Sequence, residues 1–158
     1  FKWEKNMVPT YMWFDGNIVR YLAGDKIDPT KIVQLTSVKG GRNDPKSRIF
    51  PFKIMRGKQA YDSGNSTIAF AQVFGPPGSD AYWQKYDWNA AIASGMKAAG
   101  QPYSGKFGFV ETAMVWPVHH MVVAKEKSLK CGDCHGTKGR LDWKALGYKG
   151  DPQDPKNR

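Results

Sequence analysis

The sequence has few of the residues that build disulfide frameworks and zinc sites. Its 158 residues include two cysteines, Cys131 and Cys134, and three histidines. A structural zinc site takes about four protein ligands, and the sequence has no second C-x-x-C pair to complete one. A small disulfide-stapled scaffold would need more cysteines. The composition therefore argues against both kinds of protein.

Long apolar runs are also lacking. No stretch of about 18 apolar residues occurs, so the sequence predicts no membrane-spanning helix. The chain opens on Phe1 rather than Met and shows no signal peptide. We expect either that a targeting segment has been removed or that the chain is part of a longer one.

Aromatic residues, glycine, proline and positive charge are plentiful. Eight Phe, seven Tyr and six Trp accompany 17 Gly and 10 Pro. This composition predicts about one loop-rich domain, in which a large flat cofactor provides much of the core. The net charge of +10 favours acidic partners or anionic small-molecule substrates. The cations are scattered and no basic helix is evident, which argues against nucleic acid as the partner.

Both cysteines fall in the stretch Cys131-Gly132-Asp133-Cys134-His135, which is C-x-x-C-H. This pattern is typical of covalent attachment of a c-type haem. The two thiols can each form a thioether with a haem vinyl group, and the next residue can offer an imidazole to the iron. The sequence therefore predicts haem c bound by Cys131 and Cys134, with His135 as the proximal ligand. Because thioether attachment takes place outside the bacterial cytoplasm, we expect a periplasmic or extracellular protein.

The second axial position of such a haem has several candidate ligands. His119 and His120 are the remaining imidazoles, and because they are adjacent, at most one can lie over a given haem. Met121 and Met55 are the thioether alternatives, which would raise the redox potential relative to a second His. A helix from His120 to Cys131 would cover roughly 15 Å. This spacing leaves open a bond to the chain's own haem and a bond to a neighbouring haem.

Local patterns predict several elements and a fold class. Asp15-Gly16-Asn17 predicts a hairpin turn between two short strands. Ser79 predicts the N-cap of a helix over 80–99 that ends at Gly100. Helix-forming residues over 124–130 lead into the haem motif, a short helical turn over 142–146 stops at Gly147, and 150–158 is predicted to be a frayed tail. The expected fold is mostly irregular, with α-helices around a covalently bound haem and a few short strands.

Four further stretches resemble a known family, namely Ser47 to Lys53, Lys58 to Asp62, His120-Met121-Val122 with Leu129 to His135, and Gly139 to Tyr148. Over about residues 11–152 the chain resembles the C-terminal part of octahaem cytochromes of the tetrathionate reductase type. The resemblance implies a multihaem-cytochrome-like fold with bis-histidine haems packed in a chain. It also implies reduction of sulfur or nitrogen oxyanions at one haem that has a lysine as its distal ligand.

The sequence departs from that family in having one haem motif instead of eight. The family's catalytic haem lies upstream of the matching region, so no catalytic residue is carried over. In such proteins a histidine near one motif often ligates the haem of another. Because His120 begins the His-Met-Val stretch, the resemblance implies that His120 is an axial ligand, of its own haem or a neighbouring one, and that His119 is not a ligand of the same iron.

The sequence predicts an electron-transfer cytochrome. Residues 1–158 are expected to form a single haem c domain, which is the end of a larger multihaem oxidoreductase assembly, one subunit of it, or a reduced relative of such proteins. Its expected partners are other cytochromes or a multihaem subunit, in an oligomer or complex. The alternative is a haem-dependent reductase subunit that acts on a sulfur or nitrogen oxyanion such as tetrathionate, nitrite or hydroxylamine. A sensor that binds small gaseous ligands is the third hypothesis.

Overall fold

The computed structural model describes residues 7–119, 123–136 and 138–157. Within these residues, the strands are β1 (Thr10–Phe14), β2 (Ile18–Arg20), β3 (Val33–Val38), β4 (Arg48–Asp62), β5 (Thr67–Ile68) and β6 (Phe107–Pro117). They form one mixed sheet with the order β1-β4-β6-β3-β2, and β5 pairs with β4. The helices are α1 (Tyr82–Lys85), α2 (Trp88–Ala98) and α3 (Cys131–Cys134), with 3-10 turns at Lys125–Lys127 and Pro155–Asn157.

The chain divides into two compact units, each assembled from separate stretches of sequence. The first, called here the motif unit because it contains Cys131 to His135, comprises Phe1–Val19, Ser37–Ile54 and Val115–Arg158. The second, called the helix unit because it contains α1 and α2, comprises Arg20–Thr36 and Met55–Met114. Strands β4 and β6 each contribute residues to both units. The expectation of a single haem domain over residues 1–158 stays a prediction.

In the motif unit, β1 pairs antiparallel with the first part of β4, with Thr10 opposite Phe52 and Phe14 opposite Arg48. The pairing buries aromatic rings: Phe52 is fully buried, and its ring centroid lies 5.4 Å from that of Phe14 and 5.6 Å from that of Phe50. Burial of large rings is among the strongest stabilising contributions in a small core. The aromatic residues of β1 and β4 therefore explain which strand β1 joins.

The predicted hairpin between β1 and β2 is wrong. The chain bends at Gly16, but the backbone bonds on either side of the bend go to Lys39: the Asp15 N–H donates to the Lys39 carbonyl, and the Lys39 N–H donates to the Asn17 carbonyl. Strand β1 pairs with β4, while β2 pairs with β3. A local turn signal predicts where the chain changes direction, but the partner of each strand depends on which side chains are buried.

The helix unit contains two clusters of buried apolar side chains. Strands β3 and β6 run parallel, with Val33 opposite Thr112, and β4 runs antiparallel to β5. The first cluster contains Ala60, Ala69, Ile92 and Met96, and the second contains Val33, Ile68 and Val110. Ile92 and Met96 on α2 are 0% and 1% exposed, so this helix contributes two of the best-buried side chains in its unit.

The predicted helix over 80–99 is two helices. Tyr86 adopts a left-handed conformation with φ 54°, which ends α1, and Asp87 is extended and caps α2 by accepting from the N–H groups of Asn89 and Ala90 at 2.8 and 3.2 Å. Ser79 is not the N-cap, because α1 begins after Ala81 with no side-chain cap. Asp87 caps α2 with its side chain, whereas α1 has no side-chain cap. The Asp87 cap therefore favours a new helix start at this position, within the predicted helix over 80–99.

Strands are longer and helices shorter than the sequence predicted. Strand β4 has 15 residues and β6 has 11, whereas α2, the longest described helix, also has 11. The expectation of a few short strands is therefore corrected to a mixed sheet as the main element. The arrangement of helices around a haem stays a prediction. In the part of the chain that the structure describes, no helix has the length and apolar character needed to cross a bilayer.

Candidate haem-attachment site

The two cysteines lie at the two ends of the single helical turn α3. The Lys130 N–H donates to the Asp133 carboxylate at 2.7 Å, and the Asp133 N–H donates back to the Lys130 carbonyl at 2.9 Å, which closes the start of the turn. Residues three apart on a helix lie on the same face. Cys131 is exposed, Cys134 is half-buried, and both thiols are free. The turn therefore places both thiols where one flat ligand can meet them.

His135 follows the turn directly in an extended conformation, with its N–H donating to the Cys131 carbonyl at 2.9 Å. Its imidazole Nδ1 lies 2.8 Å from a carboxylate oxygen of Asp151. An ionised carboxylate only accepts hydrogen bonds, so Nδ1 carries the proton. The Nε2 lone pair is then available to a metal, which is the arrangement that metal-binding histidines usually have.

Asp151 is held by three donors. Besides the His135 imidazole, the Gly136 N–H donates to its second oxygen at 2.6 Å, and the Gln153 N–H donates to the first at 2.9 Å. Desolvation alone would raise the pKa of Asp151, but the hydrogen bonds from Gln153, Gly136 and His135 outweigh it and lower the pKa to about 2. The carboxylate is therefore ionised at neutral pH.

An aromatic stack fixes the plane of the His135 ring. Trp143 stacks on the imidazole with ring centroids 5.2 Å apart and an interplanar angle of 24°. The Tyr148 ring meets Trp143 edge-on at 5.7 Å. Arg42 lies over the Tyr148 ring at 4.1 Å and donates to the Gly147 carbonyl at 2.6 Å. The imidazole is thus held by Asp151 at its edge and by Trp143 on its face.

A glycine allows the chain to fold back onto the haem motif. Arg140 donates its N–H to the Asp133 carbonyl at 2.9 Å, so the segment after the motif returns to α3. A side chain at Gly139 would collide with the Cys134 carbonyl oxygen. This close backbone approach requires glycine.

The predicted ligands lie in different parts of the structure. Cys131, Cys134 and His135 lie together, whereas His119 follows β6 as an exposed residue, with its ring centroid 5.7 Å from that of Phe50. His120 and Met121 lie outside the described residues, so ligation by His120 stays a prediction. Met55 lies in β4 and is 45% exposed.

Sequence reasoning missed the two residues that hold the imidazole, Asp151 and Trp143. The predicted frayed tail over 150–158 is wrong for its described part, because a 3-10 turn forms at Pro155–Asn157 and the Asn157 amide donates to the Asp151 carbonyl at 3.1 Å. The local signal was an Asp whose carboxylate accepts from the N–H two residues later, as in an Asx turn. That signal predicts a turn, but it does not reveal a partner 16 positions away.

Comparisons with known proteins identify the family of this chain. The sequence profile of the family described as "Cytochrome c bacterial" matches residues 1–138. The crystal structure of octahaem cytochrome c from Shewanella oneidensis is similar, with a TM-score of 0.89 and 42% sequence identity. The match covers 99% of this chain and 36% of that one, so the chain spans about a third of the relative's length. None of the curated proteins matches. The resemblance to octahaem c-type cytochromes, and the multihaem-cytochrome-like fold, are thereby confirmed.

Proposed function

Since the chain belongs to the bacterial cytochrome c family, we propose that it carries one covalently attached haem c and transfers electrons. The observation that carries the proposal is the juxtaposition of two free thiols on one helical turn with an imidazole whose Nδ1 is bound by Asp151 at 2.8 Å. Haem c, when bound, supplies a one-electron redox couple. The chain's own residues hold the cofactor, orient it and set its environment.

Each residue of the motif has a separate role in this proposal. Cys131 and Cys134 provide the sulfur atoms of two thioether bonds. His135 provides Nε2 as the proximal ligand, because its Nδ1 is already engaged. Trp143 and Asp151 keep the ring from rotating, so that Nε2 keeps one direction. Such preorganisation is what a ligand needs to hold a metal with little rearrangement.

We further propose His120 as an axial ligand, of this haem or of a neighbouring one. The support is the family-like His-Met-Val stretch, together with the packing of the adjacent His119 ring against Phe50. His120→Ala should convert a low-spin spectrum to high-spin in the isolated chain if the bond is internal. If the bond reaches another haem, His120→Ala should produce the high-spin spectrum only in the assembled complex. His119→Ala is the matched control, and a larger effect of that variant would contradict the assignment.

The surroundings of the motif favour docking to an acidic redox partner. Residues 123–149 contain seven cations against three acids, and the cations are Lys125, Lys127, Lys130, Lys138, Arg140, Lys144 and Lys149. Excess charge of one sign around a redox centre speeds association with a partner of opposite charge. We therefore propose that the partners are other cytochromes or a multihaem subunit, in a periplasmic or extracellular assembly. The much longer octahaem relative supports such an assembly.

The test is a measurement of haem content and spin state in the purified protein. Intact mass under denaturing conditions should show one haem per chain, and a reductive titration should show a reversible one-electron couple. A low-spin spectrum that small ligands do not change would support electron transfer. A high-spin form that binds nitrite or hydroxylamine would favour the reductase alternative. Absence of covalent haem after expression with a haem-attachment system would overturn the proposal.

A further inference from the structure

The proximal histidine has a charged hydrogen-bond acceptor. His135 Nδ1 lies 2.8 Å from Asp151 Oδ1, and the side chain of Asp151 is only 17% exposed. The carboxylate is half-buried, which reduces competition from water, and hydrogen bonds to a charged acceptor are about twice as strong as neutral ones. The pair is therefore a persistent feature of the site.

Three features keep Asp151 from moving away from the imidazole. Its second oxygen accepts from the Gly136 N–H, directly after the histidine, and its first oxygen also accepts from the Gln153 N–H. Trp143 stacks on the imidazole face, which opposes rotation of the ring. If Asp151 served only to form the C-terminal turn, the hydrogen bond from the Gln153 N–H would be enough for that role. The additional bond to Nδ1 places a full negative charge on the side of the ring opposite to Nε2.

We propose that Asp151 is a positioning residue that lowers the reduction potential of the haem through His135; this inference rests on the proposed function. A carboxylate that accepts the Nδ1 proton increases electron density on the imidazole and makes Nε2 a stronger donor. A stronger donor stabilises ferric iron more than ferrous iron, because the ferric form carries more positive charge. Hydrogen bonding around the axial ligand is one of the means by which a protein tunes haem.

The test compares Asp151→Asn with Asp154→Asn in the haem-loaded protein. Asp154 is exposed and lies three positions along the same turn, and its carboxylate accepts from the Lys156 N–H and not from the histidine. Both variants lose one negative charge, but only the first loses the charged acceptor of Nδ1. Asp151→Asn should favour the ferrous form by roughly tenfold or more, which is about 59 mV for a one-electron couple. Asp154→Asn should shift the potential by less than a third of that amount.

A third variant and a second measurement keep the outcome decisive. Asp151→Glu retains the charge, so its potential should lie closer to wild type than that of Asp151→Asn. If Asp151→Asn fails to attach haem, the iron–histidine stretching frequency of the isolated, ferrous His120→Ala chain, whose haem lacks that sixth ligand, decides. It should lie above that of a ferrous haem ligated by an imidazole without a hydrogen bond, because a stronger donor makes a stiffer bond.

The inference and the proposed function fail in different ways. Wild-type protein without covalent haem would overturn the proposed function. Haem-loaded Asp151→Asn with the potential of Asp154→Asn would overturn the inference and leave the proposed function intact. An iron–histidine frequency of the isolated His120→Ala chain no higher than that of the unbonded imidazole complex would also overturn the inference.

Discussion

The helix unit and the segment around Cys131 to His135 are stabilised in different ways. This segment, called here the motif segment, comprises the described residues 123–136 and 138–157. The helix unit has two clusters of buried apolar side chains and a helix with a side-chain cap. In the described residues 123–136 and 138–157, Leu146 is the one buried side chain, and short turns with polar hydrogen bonds provide the remaining order. Burial contributes about 25 cal/mol per Å² of apolar area. The helix unit therefore has a core of its own, whereas the motif segment is expected to need the apolar surface of its cofactor.

The largest effect is expected from removing the attachment chemistry. In Cys131→Ala/Cys134→Ala no thioether can form, so haem should be lost on acid–acetone extraction. Amide hydrogen exchange should then rise over residues 125–157 and stay slow in α2, because only the motif segment depends on the cofactor. Each single variant is the control, since it keeps one thioether. Haem that remains with the double variant through extraction would contradict the assignment.

Substitutions in the helix unit test whether its buried apolar side chains stabilise the protein. Ile92→Ala removes a side chain that is 0% exposed and should lower the free energy of unfolding by about 2–5 kcal/mol. Ile32→Ala makes the same chemical change at a site that is 47% exposed and should cost about 0.5 kcal/mol or less. Urea unfolding of the haem-loaded protein measures both. The haem spectrum of the folded Ile92→Ala protein should match wild type, and similar costs for the two variants would contradict the assigned core.

Substitutions at two glycines test how closely the chain returns to Cys134 in the motif segment. Gly139→Ala places a methyl group against the Cys134 carbonyl and should destabilise the haem-loaded protein by about 1–3 kcal/mol. Gly132→Ala is the matched control, because an added Cβ there meets nothing within 4 Å. The measurements are the yield of covalent haem and the thermal midpoint. Equal losses for the two variants would show that the chain does not return closely to Cys134.

The helix unit also contains a buried carboxylate, that of Asp62, which should make the stability of the unit sensitive to acid. Asp62 is fully buried and accepts from the N–H groups of Gly64, Asn65 and Ser104 at 2.9, 3.1 and 2.8 Å. Burial alone would raise the pKa of Asp62, but the bonds from Ser104 and Asn65 outweigh it and lower the pKa to about 2. Since the ordinary value is about 3.9, the stabilisation by this group is complete above about pH 4. It should be lost as the pH falls towards about 2.

Asp62→Asn should lower the free energy of unfolding at neutral pH by about 1–3 kcal/mol, because the amide replaces one of the two acceptor oxygens and the buried donors to that oxygen lose their acceptor. The variant should also lose less stability than wild type when the pH is lowered from about 4 to about 2. Urea unfolding at these pH values measures the difference. Parallel acid profiles for the two proteins would show that Asp62 does not cause the sensitivity.

The amino-acid sequence by itself determined the C-x-x-C-H spacing and the resemblance to the family. The spacing of Cys131, Cys134 and His135 is a local property, because a single helical turn relates residues three and four apart. The bend at Gly16 and the left-handed conformation of Gly147 were predictable for the same reason: each depends on the backbone preferences of a few adjacent residues. The resemblance over residues 11–152 predicted the multihaem-cytochrome-like fold, which the comparisons confirm.

Only the tertiary structure decided which distant residues meet. The bond between His135 and Asp151 joins positions 16 apart, and the Trp13 indole donates to the Leu146 carbonyl across 133 positions at 2.9 Å. Strand β1 pairs with β4 because that arrangement buries the ring of Phe52. Such pairings depend on which apolar surfaces can be buried together, and local hydrogen-bonding preferences carry no information about that choice.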